Sequence, residues 1–262
     1  ESTPTNDALA YLTLGEMTGY LDEMERDSLG VEEIAFTGGE PFMNPDLLQM
    51  MDQALQRNFS VLVLTNAMKP LQHKQAELLT LKESYGDRLA IRVSIDHFTE
   101  EKHEKIRGIK TWRPMLDGLK WLAANKFNLT VAGRTCWEEN EEESRSGYLE
   151  LFAKEDININ PNNSADLVLF PEMDSSRDVP EITVQCWDVL GVEPETIMCA
   201  SSRMIIKRKG ADKPVVVPCT LLPYDEQFEL GHNLLKASKS VKLNHPNCAT
   251  FCVLGGSSCS AD

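Results

Sequence analysis

The sequence predicts an α/β fold built on a parallel sheet, and three observations carry that prediction. Short apolar β-runs alternate with amphipathic helical segments as far as about residue 170. One run, "SVLVLTN" at 60–66, is nearly all apolar, as a strand covered on both faces requires. Helix-starting and turn-forming residues stand at the joints between the runs. About five strands are counted, which leaves an open doubly wound sheet and a partial barrel as alternatives.

In chain order, 11–30 reads as a helix. Thr13 and Glu16 form a capping box, Leu14, Met17, Leu21 and Met24 share a face, and Gly30 is the stop. "VEEIAFT" follows as a strand. The next helix takes Asn44 as its N-cap and Pro45 as its first residue, with Leu47, Leu48, Met51 and Leu55 as its apolar stripe. After the strand at 60–66, a helix is expected over Pro70 to Ser84 and a strand over "LAIRVSID". A helix follows from Trp112, with Met115, Leu116, Leu119 and Leu122 on its apolar side. "NLTVAGRTC" and "DLVLF" are the last two strands, separated by an acidic run that turns from loop to helix and presents a solvated face. Beyond residue 171 the pattern changes. A short helix near Ile182 to Leu190 leads to a hairpin turning through Lys209, Gly210 and Ala211, then to a Gly- and Cys-rich tail. The boundary falls between about 172 and 195, giving a core at 1–175, a linker at 176–198 and a small domain at 199–262.

The bulk composition is that of an ordinary folded protein, 42% apolar and 26% charged over 262 residues. Lys and Arg number 26 against 41 Asp and Glu, a net charge of −15, which argues against nucleic acid or an anionic membrane surface as a partner. No apolar run approaches the ~20 residues of a membrane span. Seven cysteines without a secretion signal point to a cytoplasmic chain with reduced thiols or metal ligands.

In parallel α/β sheets ligands bind at the carboxyl ends of the strands. Those ends carry Gly38, Gly39, Glu40 and Pro41, then Asn66, then Ser94 and Asp96, then Arg134. Glycines let a backbone approach a ligand, a carboxylate accepts from an ammonium group, and an arginine grips a carboxylate with two donors. A ligand with both an amino and a carboxylate group would fit; a plain strand-to-helix turn at 38–41 is the simpler alternative. His97 and His103 read as surface or pocket-rim groups, Cys136 and Cys186 as core thiols, and His245 as a turn residue.

"FTGGEPFMNPDLL", "VLVLTNAM" and "RVSIDHFTEEKHEKIRG" resemble the radical S-adenosylmethionine enzymes over roughly residues 8–170. The resemblance implies a partial (β/α)6 TIM-like barrel lacking its first strand. It gives Gly38, Gly39 and Glu40 the S-adenosylmethionine amino group, Ser94 and Asp96 its ribose and methionine portion, and Arg134 its carboxylate. It also implies reductive cleavage to a 5′-deoxyadenosyl radical, hydrogen abstraction from a peptide or small metabolite, and a flavodoxin- or ferredoxin-type electron donor. The family's Cys-x3-Cys-x2-Cys motif, which binds a [4Fe–4S] cluster, is absent. The expectation is a chain that begins downstream of that loop and is inactive without it.

Five cysteines lie in the last part of the chain: Cys199, Cys219, Cys248, Cys252 and Cys259. Cys199 and Cys219 flank the hairpin, so antiparallel pairing draws them together. Four thiolates from two segments suit an iron–sulfur cluster or tetrahedral zinc. "CASSRMIIKRKGADKPVVVPCTLLPYDEQFELG" resembles the SPASM and Twitch auxiliary-cluster domains, which implies one auxiliary [4Fe–4S] cluster. Cys199, Cys219, Cys252 and Cys259 are the favoured ligands and Cys248 their rival. The alternative is a non-catalytic binding or scaffold protein with structural zinc in its tail.

Overall fold

The computed structural model describes residues 6–137, 139–171, 178–191 and 193–254. The chain opens with a two-residue strand, β1 (Leu9–Ala10), too short to leave a sequence signal. Thr13 then caps α1 (Leu14–Arg26): its hydroxyl accepts the Glu16 N–H while the Glu16 carboxylate accepts the Thr13 N–H. This is the predicted capping box. The helix ends at Asp27 rather than Gly30, because Ser28 already takes the left-handed conformation, with φ of 50°.

Next come β2 (Glu33–Phe36), a 3-10 turn over Pro41–Met43, and α2 (Leu47–Gln56). The expected N-cap at Asn44 is displaced. Its side chain accepts the Asp46 N–H at 3.0 Å in a turn before the helix, and Asp46 occupies the cap position. After β3 (Ser60–Thr65), the expected helix over 70–84 is two pieces, α3 (Lys69–Gln72) and α4 (Gln75–Tyr85). Lys74 departs from helical torsions between them, and the Gln72 amide donates to the Pro114 carbonyl at 2.8 Å. Then follow β4 (Leu89–Ser94), α5 (Glu100–Arg107), α6 (Trp112–Ala124), β5 (Asn128–Thr135), α7 (Glu141–Glu155) and β6 (Leu167–Pro171). The sequence pattern left α5 unmarked.

Strands β2 to β6 form one sheet in sequential order, and β2 through β5 pair in parallel. A doubly wound sheet reverses its order at a switch point; this one does not, and it is the curled half-barrel of a partial TIM-like fold. Its middle strands bury Val61, Val63, Leu89, Ile91 and Val93 completely, and Leu55, Leu78, Leu119 and Phe152 of the helices are buried as deeply. Each such side chain contributes about 2 kcal/mol on burial.

The rest of the described chain comprises α8 (Gln185–Leu190), α9 (Met198–Ser201), β7 (Met204–Arg208), β8 (Val215–Val217), α10 (Leu234–Ala237) and a wide π turn at Cys248–Val253. The hairpin forms as expected, pairing Met204 with Val217 and Ile206 with Val215, but its turn is longer than Lys209–Ala211. Strand β1 adds to its outer edge, pairing Leu9 with Arg208.

Two compact units result. One is Gly30–Phe170, which holds the parallel sheet; the other joins the chain up to Leu29 with the chain from Pro171 onward. The break between the units falls between Phe170 and Pro171. The assignment of α1 differs from expectation: its Tyr20 packs with Val216, Leu234 and Ala237, and its buried Glu23 carboxylate accepts the Leu234 N–H at 2.6 Å. A helix that reads as barrel scaffolding from its pattern finds its partners some 200 residues away.

Candidate functional site

The mouth of the parallel sheet gathers the polar residues of the Gly30–Phe170 unit. Strand β2 ends at Phe36, and the chain turns through exposed Gly38 and Gly39. Gly38 adopts φ of 149°, and a Cβ there would meet nothing within 4 Å, so the space beside it is open. Glu40 then folds back on the sheet. Its Oε1 accepts the Thr65 hydroxyl at 2.8 Å and the Phe42 N–H at 3.2 Å, and its Oε2 accepts the Asn66 N–H at 2.8 Å. One carboxylate thus ties the end of β2 to the end of β3 and starts the 3-10 turn at buried Pro41. Burial pushes the Glu40 carboxyl above its usual range, against the pull of those donors and of the Arg107 charge. A carboxylate has about four acceptor sites, so Oε2 keeps one for a further donor.

Beyond the half-buried Ser94 that closes β4, Asp96 is only 3% exposed. Two arginines converge on it. Arg134, at the end of β5, donates through Nε to Oδ1 at 2.8 Å. Arg107, the last residue of α5, donates through Nε to Oδ2 and through Nη2 to Oδ1. Burial works against ionisation of Asp96, but the two guanidinium charges outweigh it and hold the carboxyl below its usual range. Asp96, expected near the ribose and methionine portion of a ligand, has its carboxylate facing two arginines. Arg107 is a side chain of this cluster that the strand-end reading did not include, and its signal was its place four residues after His103 on a short charged helix.

Of the groups expected at the surface or a pocket rim, His97 and His103 are buried, at 1% and 2%, which overturns the surface alternative. His97 accepts the Thr99 N–H on Nδ1, so its Nε2 carries the proton that it shares with Glu139 at 3.0 Å. Lys102 binds the same Glu139 and lies over the Trp137 ring. His103 packs edge-on to Trp112, and its buried Nδ1 has no hydrogen-bond partner among the described residues. Burial lowers its pKa to about 4, so it is neutral beside Asp96 and Arg107. Below the mouth, the Tyr148 hydroxyl donates to the Ile95 carbonyl, and a Cβ on Gly133 would lie 2.4 Å from that hydroxyl.

Of the predicted thiols, Cys136 is buried as expected, whereas Cys186 is only half-buried and accepts the Thr183 N–H. Cys219 and Cys248 share an apolar cluster with Leu222 and Phe228. Cys199 lies close enough to raise the Cys248 thiol pKa further, after the larger effect of burial. Arg203 donates to the Cys199 carbonyl at 2.6 Å and pulls down a Cys199 thiol that burial pushes up. Cys252 is buried one turn after Cys248, and Cys259 lies outside the described residues. Among the described residues no three Cys, His, Asp or Glu side chains come together as a metal-ligand set.

Residues 3–146, more than half of the chain, match the Radical SAM superfamily. The chain belongs to this superfamily. It is 32% identical over 81 residues to the antilisterial bacteriocin subtilosin biosynthesis protein AlbA of Bacillus subtilis (strain 168), a stretch that covers 31% of this chain and 17% of AlbA. Its fold is similar to that of Streptococcus suis SuiB bound to S-adenosylmethionine, with a TM-score of 0.58 and 11% identity over 90% of this chain and 60% of SuiB. SuiB bound to its precursor peptide SuiA matches with a TM-score of 0.50 and 10% identity, over 64% of this chain and 34% of the other. The chain therefore spans about a sixth of AlbA and less than two thirds of SuiB.

Radical SAM membership implies S-adenosylmethionine and a [4Fe–4S] cluster. The first fits the mouth: the open space at Gly38, the spare acceptor on Glu40 and the outer edge of Arg134 suit an amino-acid head group. The second does not fit the described residues. No cysteine precedes Cys136, and the described thiols of the tail do not close a ligand set.

Proposed function

We propose that the sheet mouth binds S-adenosylmethionine by its methionine end and that the chain acts in a radical SAM enzyme modifying a peptide. The observation that carries this reading is the pairing of opposite charges at the strand ends. Glu40 offers an acceptor beside two exposed glycines, and Arg134, held by Asp96, offers donors. Arg107 acts electrostatically on both Glu40 and Asp96, so these groups share one neighbourhood. Ammonium toward Glu40 and carboxylate toward Arg134 is the arrangement that a zwitterionic amino acid demands.

Bound S-adenosylmethionine supplies hydrogen-abstraction chemistry. The chain's own residues bind and orient it. Gly38 and Gly39 admit the head group, Pro41 fixes the turn, Asn66 is pinned by Glu40, and Ser94 lines the end of β4. The identity with AlbA and the fold shared with SuiB support a peptide as the substrate. The reading adds a flavodoxin- or ferredoxin-type donor to supply the electron. On this reading the Gly30–Phe170 unit is the radical SAM core, and the unit that joins the chain up to Leu29 with the chain from Pro171 carries the auxiliary domain. An auxiliary [4Fe–4S] cluster on Cys199, Cys219, Cys252 and Cys259, with Cys248 as the rival ligand, requires Cys259, which lies outside the described residues. A second reading, in which the tail thiols are core groups or zinc ligands, draws on the apolar surroundings of Cys219 and Cys248.

Titration calorimetry with S-adenosylmethionine tests the site. Glu40→Ala should weaken binding about tenfold, the loss of one charge-assisted contact. Absence of binding by the unsubstituted chain ends the proposal. Iron, sulfide and zinc analysis after anaerobic reconstitution decides the tail: about four irons per chain supports the cluster, zinc alone the second reading.

A further inference from the structure

The Asp96 ion triad is lopsided, and the asymmetry has a use. Arg107 closes a two-point fork on the carboxylate, taking Oδ2 with Nε and reaching Oδ1 with Nη2. Arg134 makes one contact, Nε to Oδ1 at 2.8 Å, and its two Nη groups have no partner among the described residues. A guanidinium carries five donors in a planar fork and would naturally take both oxygens of a lone carboxylate. It cannot do so here, because Arg107 already holds Oδ2. Asp96 thus faces two cations, and of these Arg134 has the open outer edge, with its side chain 38% exposed. His103 cannot claim Asp96 in its place, since it is buried, neutral and turned to Trp112.

We propose that Arg107 and Asp96 are positioning residues that keep the outer edge of Arg134 free for a ligand carboxylate. Arg107 acts by occupying the carboxylate oxygen that Arg134 would otherwise close upon. Removing Arg107 lets Arg134 turn inward and form its own fork with Asp96, withdrawing its donors from the mouth. Arg107 therefore governs recognition of the ligand's α-carboxylate without touching the ligand. This rests on the mouth binding an amino-acid head group, and it adds a specificity determinant that the strand-end motifs do not contain.

The test uses two probes, S-adenosylhomocysteine, which carries the amino-acid end, and 5′-methylthioadenosine, which lacks it. Calorimetry on the whole chain should show Arg107→Met weakening S-adenosylhomocysteine about tenfold while leaving 5′-methylthioadenosine unchanged. Arg134→Met should do the same. The double variant should lose no more than Arg134→Met alone, because both act through one group. Arg107→Lys, which can still occupy Oδ2, should recover most of the affinity, and circular dichroism shows whether each variant is folded. Equal weakening of both probes by Arg107→Met, additive losses in the double variant, or unchanged S-adenosylhomocysteine affinity would overturn the positioning role and leave the site standing. If the unsubstituted chain binds both probes equally, the amino-acid site itself fails, and this proposal with it.

Discussion

His103 is the residue whose environment departs furthest from what its sequence neighbourhood suggests. It stands in "EEKHEKIR", one of the most charged stretches of the chain, yet it is 2% exposed with an unpartnered Nδ1. Its pKa falls from 6.5 to about 4, so between those values the unfolded chain binds a proton that the folded chain does not. Stability therefore rises with pH across that window and falls on acidification through it, by on the order of 3 kcal/mol in full. His103→Phe keeps a ring against Trp112 and abolishes the titration. Urea unfolding at about pH 7 and about pH 5 should show a smaller acid penalty in the variant than in the parent; equal penalties would place the acid sensitivity elsewhere. Glu40 and Arg134 were legible because strand-end chemistry follows from sequence position. His103 and Arg107 were not, because a helix pattern of charged residues does not say which face turns inward.

Helix α6 shows how element packing reaches the site. Gly118 sits inside it, where alanine is the better helix former by about 1 kcal/mol. A Cβ at Gly118 would lie 1.8 Å from the Ala67 carbonyl oxygen, which belongs to the backbone and cannot swing aside. Ala67 follows the Thr65–Asn66 turn that Glu40 holds, and its own N–H donates to Thr65 Oγ1 at 3.0 Å. Gly118→Ala should therefore destabilise the protein by about 3 kcal/mol, the effect of overpacking, and loosen the turn at Asn66. A rise in the thermal midpoint would mean that helix propensity outweighs the contact. Element types were largely readable: the capping box on α1 and the apolar stripe of α6 are as the pattern demands, while in α2 Met50 and Ala54 join Leu47, Met51 and Leu55 on the buried face and Leu48 does not. The boundaries were not, because His73 and Lys74 interrupt a helix without any proline or glycine.

At the scale of the whole molecule, the chain is not a succession of domains in sequence order. Tyr20 of α1 donates to carbonyls of Pro214 and His232, and Lys207 pairs with Glu16 at 2.6 Å. Tyr20→Ala, at about 3 kcal/mol, should lower amide exchange protection in β7, β8 and α10 while β3 and β4 keep theirs. Uniform loss across both sets would show that the two units unfold as one. No helix of the described residues is long and apolar enough to cross a membrane. The order of the strands was decided by the tertiary structure, whereas the parallel sheet and the acid-glycine turn at its mouth follow from local pattern, since apolar periodicity and turn chemistry act over a few residues. The burial of the two histidines, the sharing of Asp96 between two arginines and the capture of α1 by the C-terminal hairpin do not. These are contacts between distant segments, settled by which surfaces the folded chain presses together, and no window of sequence contains both partners.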